Sequence, residues 1–388
     1  MNEHTLNRPL ASTLLSAHLE RGIAGTVFPG GVVALRSGRS EVVSVAGKYG
    51  YEADAPRMTA GAVFDLASLS KIVATLPLVL LGLASGRIEP DDRADRFLPE
   101  LATGAGSGWN HAITVRGLLS HTSGLPAWRP YYVRLRGRSS YLAAIADEQA
   151  AYPPGTRVEY SDLGFMLLGW LVERVFDTGL DELARDRVWK PLGMVDTSYR
   201  PMAGGLAGPR DDGLFVPTEE GNVYEHSMAL AYAEGRPVAG GHSESFRLET
   251  EDVESFLWRT GVIQGQVHDG NCHYGLGGVS GHAGVFSTAG DLVRFASFWD
   301  RGGPLPLELR GQAFSVQTPA GQATRGLGWV IDTDGTAMHT GFTGTLLRYC
   351  PDDESVVVAL TNRVHPRVQD GIAAWRTELA RIAGTLRG

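Results

Sequence analysis

A serine and a lysine three residues apart, Ser68 and Lys71, stand where an apolar run begins in Phe64-Asp65-Leu66-Ala67-Ser68-Leu69-Ser70-Lys71-Ile72-Val73-Ala74-Thr75-Leu76. On a helix that spacing puts both side chains on one face. A serine hydroxyl attacks a carbonyl only when a base within hydrogen-bond reach takes its proton. A lysine serves as that base once deprotonated, and moving its pKa from about 10.4 to about 7 costs roughly 4–5 kcal/mol. An apolar setting or a neighbouring positive charge supplies such a shift. The chain holds only three lysines, Lys48, Lys71 and Lys190, and its other basic residues are arginines, which keep their protons. A lysine kept beside an apolar helix face, in a chain that otherwise chooses arginine, points to titration there. A surface lysine at the start of an amphipathic helix produces the same short pattern, so Ser-x-x-Lys alone decides nothing.

Two further stretches carry chemistry. Tyr160-Ser161-Asp162 lies between the Pro153-Pro154-Gly155-Thr156 loop and a helical pattern. A phenol held there near Lys71 can ionise or relay a proton. The plainer reading makes Tyr160 a half-buried aromatic and Asp162 a helix N-cap, and for Asp162 the plainer reading is preferred. His339-Thr340-Gly341-Phe342-Thr343-Gly344 precedes a strand, and its glycines let a substrate backbone approach closely. The N–H groups there can form half of an oxyanion hole, the Ser68 N–H the other half. A glycine-rich hairpin with an incidental histidine is the alternative. His268, Asp269, Cys272, His273 and His282 are of metal-binding types, but their spacing fits no compact zinc signature. A structural role for His282, ordering a glycine loop under the site, is the preferred expectation.

The elements that must hold these residues follow from periodicity. Leu6, Leu10, Leu14, Leu15 and Leu19 predict an amphipathic helix over residues 6–21. Residues 31–35 and 41–45 predict a β-hairpin. Pro77 should kink or shorten the Ser68 helix. Helices and Gly/Pro-rich loops fill residues 86–300, including a helix over 164–175 and one from the Ser287-Thr288 caps to about Asp300. Residues 200–245 lack periodicity and are expected to form a loop walling a site. Strands return at 328–331, 346–350 and 355–360, the last two pairing antiparallel around Pro351-Asp352-Asp353-Glu354, and a helix with Ile372, Trp375, Leu379 and Ile382 closes the chain. The expected class is α+β, with an antiparallel sheet from residues 1–64 and 305–388 flanked by helices. A mostly helical region, 65–304, carries Ser68, Lys71 and Tyr160 at the cleft between them.

At 388 residues the chain is long enough for two domains or one large one, and 43% hydrophobic with 20% charged residues reads as soluble and globular. A net charge of −8 gives no footprint for nucleic acid. The longest apolar run, Ile72 to Ala84, is too short to span a bilayer, so no membrane partner is expected. The first nine residues lack the basic and apolar regions of a signal peptide, and the expected location is cytoplasmic. Cys272 and Cys350 fit a reduced compartment. Oligomeric state is not legible.

The ordered set Ser-x-x-Lys, Tyr-Ser-Asp and His-Thr-Gly, with Tyr160 92 residues after Ser68 and His339 179 after Tyr160, resembles the penicillin-recognising serine hydrolases. That superfamily holds class C β-lactamases, DD-peptidases and related esterases. Phe64-Asp65-Leu66-Ala67-Ser68, Leu119-Ser120-His121-Thr122-Ser123-Gly124-Leu125-Pro126 and Gly281-His282-Ala283-Gly284-Val285-Phe286-Ser287-Thr288 resemble its β-lactamase-related branch, and the likeness covers residues 20–380. The resemblance implies an acyl-enzyme mechanism without metal or cofactor. Ser68 is the implied nucleophile, Lys71 and Tyr160 share its proton, and the N–H groups of Ser68 and Phe342 hold the oxyanion. Gly341, His339 and Asp162 join Phe342 on the substrate side. Two departures stand out: Asp162 replaces the asparagine of class C enzymes, and His339 replaces the lysine that holds a β-lactam carboxylate. Both weaken the case for a true β-lactamase, and the missing export signal counts against peptidoglycan and periplasmic β-lactams. The expected substrate is therefore a carboxylic ester or small amide, then a D-alanyl peptide, then a β-lactam. A non-catalytic wall-peptide-binding protein on the same fold is the alternative from another class.

Overall fold

The computed structural model describes residues 6–200 and 215–387. Nine strands are described: β1 (Gly30–Ser37), β2 (Ser40–Gly47), β3 (Phe64–Asp65), β4 (Ser198–Tyr199), β5 (Val285–Ser287), β6 (Val330–Ile331), β7 (Ala337–Thr340), β8 (Leu346–Tyr349) and β9 (Val356–Thr361). Six of them form an antiparallel sheet in the order β2-β1-β9-β8-β7-β6, so segments from both ends of the chain meet at the β1–β9 pair. The period of two along β1 explains how the sheet buries both faces. Val33 and Leu35 point to a core shared with the helices Arg8–Ala24 and Ile372–Arg387, which contribute Leu15, Leu19, Trp375 and Leu379. Val32 and Ala34 point the other way, into the main core with Ile72, Val73 and Leu292.

The sequence expectations are met at both ends of the chain and need correction in the middle. The hairpin turn is tighter than expected, with Ser37 opposite Ser40. Asn7 caps the first helix by accepting from the Leu10 amide. A second sheet, β3-β5-β4, was not anticipated, because strands of two or three residues carry no readable period. Residues 201–214 of the expected loop lie outside the described residues. Within the remainder a helix, Val223–Ala233, replaces the loop reading.

The Ser68 helix also differs from expectation. It runs unbroken from Ala67 to Ala84, long and apolar enough by composition to cross a bilayer, yet mostly buried in the core. It opens with a 3₁₀ turn, Ala67–Leu69, continues through a π turn, Lys71–Thr75, and only then becomes α-helical. Pro77 therefore does not end it. The regular partner of the Val73 carbonyl would be the amide of residue 77, which proline lacks. The Trp189 indole donates to that carbonyl instead, at 3.0 Å. Thr75 is tied down as well, its hydroxyl donating to the Gly281 carbonyl at 2.7 Å.

Candidate active site

Ser68 is the one partly exposed residue in an otherwise buried stretch from Ala62 to Leu80. The turn that presents it is held from three sides. Asp65 accepts from the Ala67 amide at 2.8 Å, and the hydroxyls of Thr343 and Thr345 donate to the carbonyls of Asp65 and Leu66 at 2.7 and 3.0 Å. Ala67, just before the serine, has φ +46°, a left-handed conformation that costs a residue with a Cβ about 1–2 kcal/mol. The threonine clasps offset that strain and bring the turn after β7 against the serine. Gly341 has no room for a side chain there, since a Cβ would lie 2.4 Å from the Leu66 carbonyl oxygen. The His339-Thr340 pair ends β7, and Gly341-Phe342-Thr343-Gly344 form a turn, not a strand. The Ser68 and Phe342 amides donate to no acceptor among the described residues, as an oxyanion hole requires.

Lys71 is fully buried, and its ammonium donates to Ser68 Oγ at 3.0 Å, Asp162 Oδ1 at 2.6 Å and the His282 carbonyl at 3.1 Å. Burial works against the charge, but the Asp162 carboxylate and the Tyr160 side chain outweigh it and hold Lys71 above its ordinary value. The expected downward shift is thus overturned, because the expectation counted the apolar surroundings and not the anion. Asp162 belongs to the site as Lys71's partner and lines a cavity beside Ser68, and it is not the N-cap. Ser161 is the cap, accepting from the Gly164 amide at 3.2 Å.

Tyr160 lies just ahead of that cap, its ring 4.9 Å from the Lys71 ammonium and its hydroxyl buried without a hydrogen-bond partner. Burial raises the phenol's pKa in spite of Lys71, so the resting hydroxyl keeps its proton. His121 sets the position of this segment. Its ring packs against Tyr160 at 4.6 Å, its Nδ1 accepts from the Ser161 amide at 3.0 Å, and its own backbone has φ +59°. His339 is buried, with Nδ1 3.0 Å from the Thr340 carbonyl, and burial together with Lys71 and Arg325 lowers its pKa well below the ordinary value. That shift favours the neutral ring.

Two cavities flank Ser68, separated by Tyr160 and Phe342. The first, about 330 Å³, is lined by Arg325, Val330, Met338, His339 and Thr340. Arg325 stacks over the Tyr160 ring at 5.4 Å, and its Nε and Nη1 are buried without partners. The second, about 240 Å³, is lined by Ala127, Trp128, Tyr224, Glu225, Met228, Ala239, Asp269 and Phe342 among others. Sequence reading missed Arg325 and Glu225. Neither sits in a spaced motif, and one arginine or glutamate among many gives no local signal.

The residues considered for a metal turn to other partners. His268 pairs with Glu219 at 3.0 Å, Cys272 Sγ lies 3.4 Å from the Ala283 carbonyl, and His282 bridges Ser280 Oγ at 2.7 Å and Asp269 Oδ1 at 2.9 Å. His282 thereby fixes the glycine loop whose carbonyl meets Lys71, and both cysteines are free.

With this geometry in place, likeness to known proteins is specific. A model of the Beta-lactamase family matches residues 15–381. The chain belongs to that family, within the penicillin-recognising serine hydrolases, and is a serine hydrolase. A protein of Escherichia coli (strain K12) named "Putative D-alanyl-D-alanine carboxypeptidase" is 30% identical over 342 residues, spanning 81% of this chain and 72% of that one. Among solved structures, "EstCE1, a hydrolase with promiscuous acyltransferase activity" superposes with a TM-score of 0.71 at 20% identity, covering 98% of this chain and 99% of that one. A "Beta-Lactamase/D-Alanine Carboxypeptidase" from Pseudomonas syringae gives 0.69 at 17% identity, with 97% and 99% covered.

Proposed function

We propose that the protein hydrolyses an acyl bond next to a free carboxylate, with peptides ending in D-alanyl-D-alanine as the leading substrate class. The observation that carries this reading is Arg325, a guanidinium with two unpartnered nitrogens buried in the wall of the cavity beside Ser68. A buried cation with open donors is costly unless a ligand completes it, and a planar guanidinium matches a carboxylate. It takes over the task that a neutral His339 cannot perform. The relatives named as D-alanyl-D-alanine carboxypeptidases support the same reading. An uncharged ester is the second reading, favoured by the apolar lining that Ala127, Trp128, Met228 and Phe342 give the other cavity.

In this mechanism Lys71 first releases its proton to solvent, against the pull of Asp162 2.6 Å away, which leaves a neutral amine 3.0 Å from Ser68 Oγ. Ser68 Oγ then bonds to the carbonyl carbon as its proton moves to Lys71, and the Ser68 and Phe342 amides hold the oxyanion. The bond to the leaving nitrogen or oxygen breaks as that atom takes a proton from Tyr160, which recovers one from Lys71. A water attacks the resulting ester as its proton passes through Tyr160 to Lys71, and Lys71 then returns a proton to Ser68 Oγ as the acid leaves.

The test is D-alanine release from a peptide ending in D-alanyl-D-alanine, set against the same peptide with a C-terminal amide. Wild type should favour the carboxylate, Ser68→Ala should abolish release, and Arg325→Ala should cut the carboxylate preference by about tenfold or more, the loss of a charged hydrogen-bonded pair. Equal rates on both peptides in wild type would remove the carboxylate reading and leave the ester.

A further inference from the structure

The cavity on the far side of Ser68 from Arg325 contains a carboxylate that the mechanism does not use. Glu225, at the N-terminal end of helix Val223–Ala233, is 7% exposed. One of its oxygens accepts from the Gly270 amide at 2.7 Å, and the other is buried without a hydrogen-bond partner. Its charged neighbours are already engaged. Asp269 is paired with His282, His268 with Glu219, and Arg259 donates to Asn222 Oδ1 and to the carbonyls of Val267 and His268. The same cavity wall presents the aromatic side chains of Trp128, Tyr160, Tyr224 and Phe342, residue types whose faces attract a cation, and the Arg363 guanidinium already lies over the Phe342 ring at 4.8 Å. Tyr224 and Phe342 pack against each other with ring centroids 4.6 Å apart.

We propose that this cavity is an ammonium subsite, in which Glu225 and the aromatic wall recognise a positively charged group on the acyl half of the substrate. The proposal rests on the serine hydrolase reading above and narrows it. A substrate would lie across Ser68 with its carboxylate toward Arg325 and an amine toward Glu225, so that the two ends read opposite charges. A buried carboxylate without a cation is costly in the free protein, and a ligand ammonium removes that cost only when bound. The shift on Glu225 agrees: burial first, then Asp269, push it up to about 7.

The test uses p-nitrophenyl esters, whose leaving group carries no carboxylate and so does not depend on Arg325. The esters of 6-aminohexanoic and heptanoic acid form one pair, those of β-alanine and butyric acid a second, each pair exchanging an ammonium for a methyl group. For at least one pair, wild type at pH 8 should favour the ammonium ester in kcat/KM by about tenfold, the size of one charged hydrogen bond, and Glu225→Gln should erase that ratio. Ser68-dependent turnover without an ammonium preference would overturn the subsite and leave the hydrolase reading standing. Were neither ester of a pair turned over, the hydrolase reading would suffer, but titration of pentylammonium against pentanol would still decide the subsite. Selective amine binding lost in Glu225→Gln upholds it, and equal binding overturns it. A charge-preserving variant, Glu225→Asp, separates charge from folding. It should keep part of the preference, and a fully folded Asp variant with none would count against the proposal.

Discussion

At the scale of single residues, the decisive feature is the anion beside Lys71. Ser68 and Lys71 were legible because helix spacing is local, so three residues in sequence fix their separation in space. Asp162 was legible as an acid and not as a partner, because it reaches Lys71 only once helix Asp162–Phe176 packs beside the Ser68 helix. Its effect is a matter of sign. Lys71 acts as a base only when neutral, and its partner holds the proton on. Removing the carboxylate leaves burial opposed only by the Tyr160 side chain, which moves the balance toward the neutral amine. Asp162→Asn should therefore move the acid limb of the kcat/KM profile to lower pH, whatever it does to the maximum rate. Rate measurements from pH 5 to 9 on a Ser68-dependent ester check this, and a limb that stays or rises would show that Asp162 does not set the Lys71 proton. Arg325 and Glu225 were out of reach for the same physical reason. Each is brought to Ser68 by tertiary packing, and no spacing in the chain announces it.

Among the elements, the long periodic ones were readable and the short ones were not. The N-terminal helix carries enough repeats of 3.6 to stand out, and the β8–β9 pair shows as two apolar runs around the turn residues Pro351-Asp352-Asp353-Glu354. β3, β4 and the π turn at Lys71–Thr75 are too short for a pattern, and β3 and the π turn belong to the segment that carries Ser68 and Lys71. The helix Asp162–Phe176 approaches the glycine loop so closely that a Cβ on Gly281 would sit 2.0 Å from the Phe165 carbonyl oxygen, and one on Gly169 2.9 Å from Gly281 Cα. Both contacts are with backbone, which cannot rotate away. Gly281→Ala should lower unfolding stability in urea by about 1–3 kcal/mol. It should also slow Ser68-dependent turnover, since the loop carries the His282 carbonyl that Lys71 meets. Full stability in the variant would show that the helix and loop yield easily.

For the whole molecule, the composition bounded the class and the two chain ends revealed the sheet, while the substrate cavities depend on residues spread from Ala67 to Phe342. Two acids lining the second cavity, Asp269 and Glu225, should shape stability across the pH range. For Asp269, burial favours the neutral acid, but His282 prevails and brings it down from 3.8 to about 2. Its contribution is present above its ordinary value and is lost as pH falls toward 2. Glu225 moves the other way, from 4.5 to about 7, so the folded state gains from its proton below 4.5 and loses that gain as pH rises through 7. Thermal melts should show wild type declining between pH 5 and 8, and Glu225→Gln should flatten that decline. Parallel profiles for the two proteins would count against it. The left-handed turn at Ala67 and the unpartnered carboxylate oxygen of Glu225 have one consequence in common. Each opposes folding, and each lies where Ser68 meets its substrate. Selecting variants for heat resistance alone would favour glycine at position 67 and glutamine at 225. Such a lineage would become harder to melt while it forgot its substrate, so a search for a sturdier catalyst has to screen turnover in every round.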